Sequence, residues 1–104
     1  MLYLYEIKKL YDDIDNFKVS PLETIEILHI RSEMNEVQHL MTEKEKKELE
    51  KCDCKMLAHA EALLHHLQAA YDFADTKRPV EEWWWHLGEV SRGELTVALE
   101  IKSI

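Results

Sequence analysis

The sequence predicts an all-α protein, a four- to five-helix antiparallel bundle with one long central helix. Three observations predict it. The chain of 104 residues holds only two glycines and two prolines, too few turn formers for the many connections of an all-β fold. Of its residues 46% are hydrophobic and 33% charged, the balance of a globular chain rather than a disordered one. The apolar residues also recur at three- and four-residue spacing over most of the length, as one face of a helix requires. A chain this long makes one helical domain, residues 1–104, with a modest core.

The first helix is expected from about Leu2 to about Asp13, where Tyr3, Ile7, Leu10, Tyr11 and Ile14 share a face. Asp12, Asp13 and Asp15 oppose the helix dipole at its end and stop it. A second helix starts at Ser20-Pro21-Leu22-Glu23, read as N-cap, N1 proline and capping-box glutamate. Its apolar seam of Ile27, Ile30, Met34, Val37 and Met41 keeps heptad spacing to the end of the segment.

The third helix opens with another capping box, Thr42 followed by Glu45. Glu43–Lys51 is a charge run relieved only by Leu49, a solvated stretch supported by pairs such as Glu43 with Lys47. From Met56 to Ala74 comes the broadest apolar arc of the chain, with Ala60, Leu63, Leu64 and Leu67 at its centre. Continuous from Thr42 to Asp75, this helix would be about 50 Å long, against a radius of gyration of about 13 Å for such a domain. It therefore either breaks near Cys52–Lys55 or overhangs the domain. An overhanging amphipathic helix predicts a second copy beside it, a homodimer.

A fourth helix is expected from Pro79, with Glu81 and Glu82 in its first turn and Ser91-Arg92-Gly93 as its stop. Val80, Trp83, Trp84, Leu87 and Val90 form its inner face. The tail Glu94–Ile104 reads two ways. Leu95, Val97, Leu99 and Ile101 alternate as in a short C-terminal strand, whereas a helix gives a poorer apolar stripe.

Composition narrows the function classes. The formal charge is −8, from 13 basic and 21 acidic residues. Nucleic-acid binding and attachment to anionic membranes both need clustered Lys and Arg, so neither partner is expected. A basic partner protein suits the sign. No leader or membrane-length apolar run is read. Cys52 and Cys54 lie two apart and cannot pair readily on a helix, which fits a reducing cytoplasm.

Two constellations carry candidate chemistry. Glu26, His29, Glu33 and Glu36 share one stripe of the second helix, and Glu26-x-x-His29 has the spacing used by carboxylate-bridged metal sites in helical bundles. Such carboxylate–histidine pairs are barely more frequent here than chance gives. Glu33-x-x-Glu36 with Asp72-x-x-Asp75 could hold Mg²⁺ on a nucleotide's phosphates, but no basic cluster is there to grip them. A divalent-metal bundle, a hydrolase of nucleotides at the extreme, is thus the alternative reading.

The least ordinary feature is Trp83-Trp84-Trp85. Helical neighbours sit about 100° apart, so three cannot face one core. Tryptophan is rarely left bare on a monomer and is enriched at protein–protein contacts. Trp83 and Trp84 go with the inner face, while Trp85 points to another side and lies either under the tail Leu95–Ile104 or against another chain; Trp83, Trp84 and Trp85, with Leu95 and Leu99, are the expected interface. The resulting expectation is a non-enzymatic, self-associating protein-interaction module with no catalytic residues and no cofactor.

Overall fold

A computed structural model describes residues 2–97 of the chain. The fold is all-α. Its helices are α1 (Leu4–Asp13), α2 (Pro21–Thr24), α3 (Glu26–Val37), α4 (Glu43–Ala58), α5 (Ala60–Leu67) and α6 (Leu87–Ser91). Short 3₁₀ turns at Gln38–Leu40, Phe73–Asp75 and Trp83–Trp85 link them. None of the helices described is long and apolar enough to cross a membrane.

The core is built from one stripe of each of the longer helices. Ile7, Leu10 and Ile14 come from the first segment, Ile27, Leu28 and Met34 from α3, Leu49, Cys52 and Met56 from α4, and Leu63 and Leu67 from α5. α1 packs chiefly on α4, and α5 on α6. Tyr3 and Tyr11, expected in the first helix's apolar face, lie at its edge: Tyr11 is 41% exposed and carries the Lys55 ammonium 4.1 Å above its ring.

Both capping signals form. The Thr42 hydroxyl accepts from the Glu45 N–H while the Glu45 carboxylate accepts from the Thr42 N–H, a complete capping box. Glu45 does more, because its second oxygen accepts the Tyr3 N–H at 2.7 Å. One buried carboxylate thereby ties the start of α1 to the start of α4. Ser20 caps α2 through the Glu23 N–H, but the Glu23 carboxylate meets the Ser20 hydroxyl rather than its backbone N–H.

Three expectations about helix length are corrected. The second helix does not run unbroken to Met41. It is interrupted at Ile25, where the Thr24 hydroxyl donates back to the Ser20 carbonyl, a bond that bends helices, and it gives way to a 3₁₀ turn after Val37. The third helix neither overhangs nor breaks at Cys52–Lys55. It breaks at His59 (φ −107°, ψ 17°), whose N–H is shared between the Lys55 and Met56 carbonyls, and it stops at Leu67. The bend lets Met56, Ala60, Leu63 and Leu67 enter one core within principal dimensions of 35 × 28 × 27 Å, which a helix of about 50 Å would overrun. The over-long helix therefore gives no reason to expect a second copy.

The third correction concerns Pro79. It opens a turn closed by the Glu82 N–H on the Pro79 carbonyl, not a helix, and α6 begins only at Leu87. The predicted stop at Gly93 is present. Its N–H reaches the Val90 carbonyl and that of Glu94 reaches the Glu89 carbonyl, with Gly93 at φ +76° where a side chain would be strained. Glu94–Val97 forms no strand, and residues 98–104, the rest of the ambiguous tail, lie outside the described residues.

Candidate functional site

Two consecutive residues of α3 organise the polar interior. Arg31, 4% exposed, donates from Nε to Asp53 Oδ1 at 2.7 Å and from Nη2 to Asp53 Oδ2 at 2.9 Å. This two-pronged match suits the planar guanidinium. Its carbon also lies 4.2 Å from the Trp84 ring centroid, a cation–π contact. Nη1 is buried and has no acceptor among the described residues. Burial pushes the Asp53 carboxyl up, against the pull of the guanidinium.

Ser32 serves the tryptophans. Its hydroxyl accepts the indole N–H of Trp84 at 2.9 Å and that of Trp85 at 2.8 Å. It donates in turn to Glu82 Oε1 at 2.7 Å. A hydroxyl has one donor and two acceptor sites, so all three are used. Trp85 is further enclosed by the His29 ring, the Tyr71 ring and the Arg78 guanidinium at 4.8, 5.0 and 4.6 Å. The Arg78 carbonyl accepts from His86 Nε2 at 2.8 Å. A carbonyl only accepts, so His86 carries a proton on Nε2.

All three tryptophans are buried within the chain, at 7, 1 and 1% exposure. Residues of a 3₁₀ turn point in three directions, and here the turn is sunk between α3 and α6 so that each direction meets protein.

Beside this network α3, α4, the tryptophan turn and Leu95–Val97 enclose a groove of about 490 Å³. Its inner wall is the buried trio Arg31, Asp53 and Trp84. Apolar surface comes from Trp83, Leu95, Val97 and the half-exposed Val80. Asn35 and Gln38 of α3 supply amides, and Glu50 and Glu81 supply carboxylates. Of the residues expected at an interface, Trp83, Trp84 and Leu95 thus meet at one groove. Trp85 sits apart from its lining, and Leu99 lies outside the described residues.

The expected metal residues Glu26, His29, Glu33 and Glu36 are all exposed on the outer ridge of α3. Ten residues of helix separate Glu26 from Glu36, about 15 Å of rise, so one ion cannot reach all four. His29 instead lies edge-on to Trp85. Asp72 caps the Ala74 N–H and Asp75 lies 3.8 Å from Lys77. Among the described residues, no three His, Cys, Asp or Glu side chains come together as a metal-binding group. The Cys52 thiol, buried against α1, donates to the Ile7 carbonyl at 3.3 Å, and burial pushes it up to about 12.

Sequence reasoning missed Arg31, Ser32 and Asp53. A signal was there for two of them. Arg31 falls in the seam between Ile27 and Met34, and Asp53 in the seam between Leu49 and Met56. A cation on one apolar stripe and an anion on another point to a buried pair. No family model matches the chain, and no curated protein or solved structure is significantly similar to it.

Proposed function

We propose that this chain is a non-enzymatic protein-interaction module that associates with a second copy of itself and presents the groove to a partner protein. The observation that carries the reading is the groove: it gathers Trp83, Trp84 and Leu95 beside exposed Val80 at one surface. Trp83 and Trp84, 7 and 1% exposed, form its packed floor, while Val80, Leu95 and Val97 supply apolar surface that a partner can reach in a concave setting. The interior polar groups support it as well. Arg31 and Asp53 pair in two hydrogen bonds and Ser32 is fully used in holding Trp84, so these groups act as braces behind the groove's wall.

Self-association is supported at another place. Leu2, Tyr5 and Leu40 are 84, 78 and 63% exposed. Glu45 links Tyr3 to Thr42, which brings the start of α1 and the residues just before α4 to one end of the fold. Large apolar side chains exposed near that end are the kind of surface that a two-fold dimer buries. Light scattering on the wild type and on Tyr5→Glu tests it. The wild type should give a dimer that the variant weakens without loss of helical content. Equal masses for both proteins would contradict the proposed contact.

A further inference from the structure

Resting on the reading of the groove as a partner site, we infer that it takes a lysine or arginine side chain carried between apolar residues on an extended segment of a basic partner protein. Charge and shape both point there. Arg31, the only cation of the lining among the described residues, is already matched by Asp53 in two hydrogen bonds. Glu50 and Glu81 are left, and neither has an ion-pair partner among the described residues. The groove therefore presents net negative charge beside apolar surface. A long basic side chain matches that pairing, since its methylene stem packs on apolar groups while its head reaches a carboxylate.

The segment's backbone has a place too. An extended peptide brings main-chain N–H and carbonyl groups, and the amides of Asn35 and Gln38 can answer both. An acidic or phosphorylated partner has the wrong sign for Glu50 and Glu81.

The test uses three synthetic peptides on the full chain: acetyl-Gly-Leu-Lys-Leu-Gly-amide and its counterparts with Gln or Glu in place of Lys. Binding is followed by tryptophan indole N–H signals in two-dimensional NMR. The Lys peptide should move the Trp83 and Trp84 signals, bind at least about tenfold more tightly than the Gln peptide, and weaken with added salt. The Glu peptide should not bind. The double variant Glu50→Gln/Glu81→Gln should lose that preference while keeping its circular dichroism and its sedimentation behaviour. Equal binding of the Lys and Gln peptides, or a preference unmoved by the double variant, would overturn the cationic assignment and leave the groove as a partner site. Absence of binding by any of the three would overturn the inference, whereas the self-association claim is decided separately by mass.

Discussion

The Arg31 guanidinium and the Asp53 carboxylate meet in two hydrogen bonds, at 2.7 and 2.9 Å, with side chains only 5 and 7% exposed. Such a pair is worth little more than the apolar residues that could replace it, but breaking it strands a buried charge. Asp53→Asn should therefore cost about 3–5 kcal/mol in urea unfolding. The double change Arg31→Met/Asp53→Leu should recover most of that loss. A double variant as unstable as the single one would show that the pair itself, rather than the stranded charge, carries the stability.

Ser32→Ala would leave the Trp84 and Trp85 indole N–H groups without their acceptor. At about 1–3 kcal/mol for each of the two buried groups left unpaired, the expected cost is about 2–6 kcal/mol. Near-ultraviolet circular dichroism should report looser tryptophan packing in the same variant. A loss within the scatter of ordinary surface changes would mean that the hydroxyl is not the common acceptor.

Glu45 predicts an acid sensitivity. The N–H groups of Thr42 and Tyr3 hold its carboxyl below the ordinary value of 4.5. A depressed carboxyl contributes stability that is fully present above 4.5 and is lost as pH falls through the lower folded value. Asp53 acts with the opposite sign. Burial raises its folded value above 3.8, so stability declines as pH rises from 3.8 through the folded value. The Glu45 contribution is read by difference: wild type should lose more stability than Glu45→Gln on acidification below 4.5. Parallel profiles would show that the carboxylate does not link α1 to α4.

The two cysteines should behave differently. Cys54 is exposed, whereas Cys52 is buried and bonded to the Ile7 carbonyl, with its thiol pushed up to about 12. The thiolate is the reactive form. Ellman's reagent at mild alkaline pH should titrate one thiol in the folded protein and the second only after denaturant is added. Rapid reaction of both in the folded state would place Cys52 at an accessible surface.

How much of this was legible in the sequence follows from the range of each signal. Capping at Ser20 and Thr42 and the stop at Gly93 are local, set by residues within a turn of each other, and all three form. The apolar stripes of α1, α3 and α5 were legible for the same reason. That the third helix would break was legible from its length as one of two alternatives, but the place was not, because the bend at His59 answers the need to bring Met56 and Leu67 into one core, a demand that comes from elsewhere in the fold. The tryptophans show the limit most clearly. A helical projection rightly separates their directions, but it cannot show that protein lies in every one of them. The groove depends on α3, α4 and Leu95–Val97 meeting across long stretches of chain, and only the tryptophan and Leu95 side of it left a mark in the pattern.

The claim that the chain works by associating with protein, beginning with itself, is tested most directly by sedimentation equilibrium of the wild type from about 1 to about 100 μM. The account predicts a mass that rises with concentration towards twice the 12.4 kDa of one chain. A mass of one chain at every concentration would contradict it.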